Sequence, residues 1–123
     1  MLLAAAARCG AQDLTAVAVT IANESDRDLR CLLVFGHWVT MNVPVVEPGG
    51  QAVVELQRAA DRALAVPRDQ DGRPMMREAL HCGYDFAWSK SLVKLGWQAV
   101  MLSDRREFVL ACRAGERPLW LWR

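Results

Sequence analysis

The sequence predicts a mainly β fold, a small antiparallel β-sandwich or barrel with room for one short helix. Three observations lead there. Apolar residues recur every second position in several short runs. Turn-forming clusters separate those runs at regular intervals. And 53% apolar against 24% charged residues in 123 positions supplies one core, not two. An α+β fold, with one helix laid across a sheet, is the alternative.

Met1–Ala7 (MLLAAAA) is apolar and small, and RCGAQD after it is abruptly polar. That pattern suits the end of a secretory signal, although a basic stretch before it is missing. Residues 1–11 are therefore expected to be a signal-peptide remnant or a disordered N-terminus, with 12–123 as a single β-rich domain. Cys9 is a poor lipid-attachment residue, because the large charged Arg8 precedes it.

Val17, Val19 and Ile21 alternate with Ala16, Ala18 and Thr20 as a half-buried strand, and Asn23–Asp28 is a polar turn. Cys31–Met41 (CLLVFGHWVTM) is apolar on both parities and reads as a central strand, with Gly36 marking a bulge and Pro44 an end or an edge. Glu47-Pro48-Gly49-Gly50 is a turn. Gln51–Val66 fits a hairpin with Ala52, Val54 and Leu56 inward, or a helix striped by Val53, Gln57, Ala60 and Leu64. The neighbouring strands favour the hairpin.

Pro67–Pro74 (PRDQDGRP) is a loop, and Met75–Leu80 a short strand or a helical turn. His81–Asp85 reads as an irregular corner. Phe86–Leu95 reads as a short helix with Phe86, Leu92 and Val93 inward. Trp97–Leu102 reads as a strand with Trp97, Ala99 and Met101 on one face. Phe108, Leu110 and Cys112 form a further strand that turns at Arg113–Glu116 onto Pro118–Trp122.

Fifteen basic against fourteen acidic residues give a net charge of +1, with no basic stripe for nucleic acid. No run of eighteen apolar residues exists to make a transmembrane helix. Cys31, Cys82 and Cys112 remain as disulfide candidates after removal of a leader, and three cysteines allow one bridge without saying which. Together with the leader they point to a periplasmic or secreted protein. Adjacent His81 and Cys82 point to opposite faces of an extended chain, so a Cys nucleophile would need His37 from elsewhere. Cys31 and His37 share a parity, but no C-x-x-C or H-x-H spacing supports a metal. No catalytic set, metal site or cofactor is expected.

Five tryptophans are many for this length. Trp38 and Trp97 read as core. Trp120 and Trp122 share one face of the last strand, Leu119 and Leu121 the other. They read as core or strand packing or, with Arg117 and Arg123 beside them, as an interface anchor or a sugar platform in composition. Trp120, Trp122, Trp88 and Arg123 are accordingly the candidate binding residues. The first functional reading is an exported, non-catalytic accessory module that binds another protein, through Trp88–Lys94 or the terminal strand. The second is a carbohydrate or small-ligand binder using exposed tryptophans. A Cys82-dependent enzyme is a distant third.

Overall fold

The computed structural model describes residues 14–35, 40–66 and 75–123. The period-two pattern of the first strand sets its orientation. β1 (Thr15–Glu24) buries Val17, Val19 and Ile21 completely and turns Ala16, Ala18 and Thr20 outward. Each such aliphatic side chain contributes about 2 kcal/mol on burial, enough to fix the face against a one-residue slip. The remaining strands are β2 (Leu29–Phe35), β3 (Thr40–Val46), β4 (Gln51–Arg58), β5 (Leu64–Val66), β6 (Met75–Tyr84), β7 (Val93–Leu95), β8 (Glu107–Arg113) and β9 (Leu119–Trp122).

They form a small β-sandwich. One layer runs β5-β4-β1-β8-β9, the other β3-β2-β6-β7, and the start of β6 also bonds β5, so hydrogen bonding is continuous between the layers. The core between them holds Val17, Val19, Ile21, Leu56 and Leu110 from the first layer and Leu29, Leu33, Leu80 and Tyr84 from the second. All pairs are antiparallel but one: β8 lies parallel to β1, entering from the end where β1 begins, where Ala18 donates to the Arg106 carbonyl.

The Gln51–Val66 segment is a hairpin. Val54, Leu56 and Arg58 are buried, and the chain reverses at Ala59–Ala63 to pair Gln57 with Ala65. Helical propensity is overridden because the whole of β4 pairs with β1. At Glu47–Gly50 the chain turns as expected, with Gly49 at a φ of 79°, a left-handed conformation that glycine adopts without strain. Pro44 sits in β3, an edge strand, where its missing N–H costs no ladder bond.

Four local expectations are corrected. Cys31–Met41 is not one strand: β2 ends at Phe35 and β3 begins at Thr40, and the two pair with each other. Gly36, His37 and Trp38 lie outside the described residues, as do the expected leader at 1–11 and the expected loop at Pro67–Pro74. His81–Tyr84 is no corner but regular strand, with His81 opposite Leu32 and Lys94. A 3-10 turn (Asp85–Ala87), the one-turn helix α1 (Trp88–Ser91) and β7 occupy the place of the Phe86–Leu95 helix. Tyr84 takes the core position there and leaves Phe86 exposed under the Arg27 guanidinium, 4.9 Å from its ring. α1 packs so closely on β6 that a Cβ at Gly83 would stand 2.9 Å from the Ser91 hydroxyl.

The fourth correction is Trp97–Leu102, which contains the one-turn helix α2 (Gln98–Met101). Trp97 and Val100, three apart, are both buried, while Ala99 is exposed. In a segment this short, period two fits by accident. The local bonds from Val100 and Met101 back to the Trp97 carbonyl decide the shape.

Candidate functional site

β9 lies at the edge of the first layer, and its alternation is the reverse of what exposed tryptophans would require. Trp120 and Trp122 are half-buried and pack against the core, whereas Leu119 is 61% and Leu121 46% exposed. The Trp122 ring centroid stands 6.2 Å from that of Trp97 and 6.3 Å, edge-on, from that of Phe108. These aromatic neighbours hold both indoles inward, since offset and edge-on ring pairs add to area burial. Trp120 Nε1 is buried with no hydrogen-bond partner.

The ladder fixes which main-chain groups the edge offers. Val109 and Arg123 exchange both bonds, and such pairs alternate with non-bonded ones. Leu119 and Leu121, opposite Arg113 and Ala111, therefore point their amides and carbonyls at β8. Those of Trp120 and Trp122 point away from the sheet.

On the outer face the leucines adjoin smaller residues, of which Ala22 and Ala111 are buried and Thr20 and Val109 half-buried. Leu121 neighbours Ala111, which neighbours Ala22; Val109 neighbours Thr20, which neighbours Val53. One end of this face carries an ion-pair cluster. Arg123 grips Glu24 with both terminal nitrogens, at 2.7 and 2.9 Å, and Arg113 lies 3.5 Å from the same carboxylate. The Arg123 hydrogen bond, with help from both arginine charges, holds the Glu24 carboxyl below its ordinary pKa. Arg123 thus reaches the terminal strand as expected, but with its charge already engaged.

Trp88 is not brought to β9. It sits half-buried in α1 on the second layer, with the Arg30 guanidinium 4.9 Å above its ring. No two exposed indoles lie together among the described residues, so the described tryptophans build no flat stacking platform.

Of the three cysteine candidates, Cys31 and Cys82 form the disulfide, directly opposite each other on β2 and β6 and fully buried. Cys112, on β8 of the other layer, is left out of it, because the β2–β6 register already sets Cys31 against Cys82. Its free thiol is buried, donates to the Arg113 carbonyl at 3.7 Å, and has its pKa pushed up to about 12, first by burial and then by Glu24. A nucleophilic cysteine needs the opposite, a depressed pKa and access. No group of three metal-ligating side chains stands together among the described residues.

Sequence reasoning missed two buried polar residues that shape the site's surroundings. Asn23 looked like part of a solvated turn, yet it follows Val17, Val19 and Ile21 in parity and is 1% exposed. Arg58 follows Ala52, Val54 and Leu56 in the same way and is 5% exposed. Extending each alternation by one step would have found both.

The chain matches no protein-family model, no curated protein and no solved structure.

Proposed function

We propose that this domain is a non-catalytic binding or accessory module of an oxidising compartment, the periplasm or the cell exterior, and that it associates with another protein through β9 and the adjoining outer face. The observation that carries the reading is the pair Leu119 and Leu121, exposed on an edge strand whose outward main-chain groups are unpaired among the described residues. An edge of this kind pairs readily with another chain, and natural proteins usually blunt it with charge unless it is used.

The compartment rests on the Cys31–Cys82 bridge, since buried disulfides persist where thiols are oxidised. No helix among the described residues is long and apolar enough to cross a membrane. Because the Cys82 sulfur is bonded to Cys31, the thiol that a Cys-dependent enzyme would need is occupied.

The test is a photo-crosslinker at Leu121 in the natively expressed chain, run beside the same crosslinker at exposed Ala99 and beside a Leu119→Asp carrier. A discrete adduct from position 121, absent from 99 and lost with Leu119→Asp at unchanged thermal stability, is the expected result. Equal adducts from both positions, or none from 121, refute the reading.

A further inference from the structure

The outer face of the second layer gathers charge that the sequence scatters. Burial fixes the inward residues as Leu29, Cys31 and Leu33 on β2 and Leu80, Cys82 and Tyr84 on β6. Alternation then turns Arg30, Leu32 and Val34 outward, with Gly83, His81 and Ala79 beside them. His81 in turn neighbours Lys94 on β7. α1 lies over the same face, since a Cβ on Gly83 would run into Ser91 and Leu92. It brings Trp88 under the Arg30 guanidinium and carries Lys90, which is exposed like Lys94.

Lys90 and Lys94 are the chain's two lysines, and Arg30 comes from its other half. Three cations thus stand on one side of a protein whose net charge is +1. No residue that the register places on this face among the described ones is acidic. Asp26, Asp28 and Asp85 gather instead past the end of β2 and β6, where they line a depression with Phe86.

Arg30 is also held in place. Stacking on Trp88 restrains its long side chain and leaves the N–H groups at the guanidinium edge to form a fork for a carboxylate.

We propose that this face binds an acidic, extended segment of another polypeptide, with carboxylates on Arg30 and the two lysines and apolar side chains over half-buried Leu32 and Val34. Three observations select that occupant. Two strand spacings, about 10 Å, separate β2 from β7, so Arg30 and Lys94 suit two carboxylates rather than one small anion. A broad anionic surface such as a bilayer would also meet Asp26, Asp28 and Asp85 and be repelled, whereas a narrow chain passes beside them. A sugar or a base would find one face of Trp88 covered by Arg30 and would bring no apolar side chain to Leu32 and Val34. This face lies on the other layer from β9 and stands or falls independently of the reading above.

The probe is a fluorescent decapeptide of glutamate, leucine and serine, titrated with the disulfide-intact protein at low and high salt. A counterpart with lysine for glutamate is run beside it. The acidic peptide is expected to bind and the basic one not, and the affinity to fall as salt rises. Lys90→Glu/Lys94→Glu is expected to weaken binding at least about tenfold; both positions are exposed, and a thermal melt verifies that the variant folds. Arg30→Lys, which keeps the charge and loses the fork, gives a smaller loss. Leu119→Asp is expected to change nothing. Equal binding of the two peptides, no binding of the acidic one, or a lysine variant that binds as well as the parent overturns the proposal. So does tighter binding to phosphatidylglycerol vesicles or to heparin than to the acidic peptide, which would assign the face to a lipid surface or a sulfated glycan.

Discussion

The two ends of the sandwich are closed by different means. At the end where β1 meets β2, the closure is covalent and made with neutral hydrogen bonds. Asn23 Nδ2 donates to the Arg27 and Val46 carbonyls at 2.7 and 2.8 Å, and its Oδ1 accepts from the Ser25 amide and hydroxyl. Tyr84, from the second layer, donates to the Gly115 carbonyl and accepts from the Gly115 amide, tying the β8–β9 turn across the core. The Cys31–Cys82 bridge lies two residues below.

At the opposite end two arginines reach from the β4–β5 hairpin to α2 and the segment after it. Arg58 donates to the Val100 and Arg105 carbonyls at 2.9 and 2.7 Å; Arg62 donates to the Ser103 carbonyl and pairs with Asp104 at 2.7 Å. Arg58 has no carboxylate bonded to it, and its Nε is buried without a partner. Burial, and then the charge of Arg62, hold its pKa below the ordinary value. One end is thus held by a covalent bridge and by neutral hydrogen bonds. The other holds a distant loop with a cation that keeps its desolvation cost. The first arrangement is expected to specify structure and the second to tolerate replacement.

The largest effect should come from breaking the closed end covalently. The bridge spans 51 residues, and removing such a loop constraint costs about 4 kcal/mol. The Cys31→Ala/Cys82→Ala pair is expected to lower the denaturant midpoint and to raise the m-value, because the unfolded chain without the cross-link exposes more surface. Reductant should shift the parent the same way and leave the double variant unmoved. A parent indifferent to reductant would mean that the thiols are not bridged.

Next come the two buried polar residues, tested against each other. Asn23→Ala strands the Val46 carbonyl and the Ser25 amide in a buried corner, and about 2–3 kcal/mol of stability is expected to go. Arg58→Met removes a desolvated charge along with two hydrogen bonds and keeps the apolar stem, so a change within about 1 kcal/mol is expected. Urea unfolding of the two variants decides it. If Arg58→Met costs as much as Asn23→Ala, the arginine end is as specific as the asparagine end, and the contrast is wrong.

How much of this could be read from the chain follows the same division. Wherever a strand buries one face, as in β1, β4 and β8, alternation placed the inward residues correctly, because one-sided burial writes a period of two into the sequence. It failed where both parities are large. In Leu119–Trp122 nothing local says whether indoles or leucines face in; Trp97 and Phe108, from other parts of the chain, decide. The disulfide was limited in the same way: choosing Cys82 over Cys112 for Cys31 requires the β2–β6 register, which is a long-range fact. Gln98–Met101 failed for want of length, since four residues show no period.

The smallest effect belongs to the exposed bond at the closed end, Glu24 with Arg123 and Arg113. The carboxyl pKa is depressed in the folded chain, so the group favours folding above its ordinary value of 4.5. That contribution is lost as the pH falls below 4.5 towards the folded value. Glu24→Gln should therefore melt below the parent at neutral pH by a small margin that closes on acidification. Salt should narrow the margin at neutral pH as well, because the pair is solvent-exposed and screened. Melting curves of parent and variant at pH 7 and pH 3, each at low and high salt, measure it. A margin independent of both pH and salt would assign the effect to packing of the Glu24 stem on β8 and leave the ion pair without weight in the closure of that end.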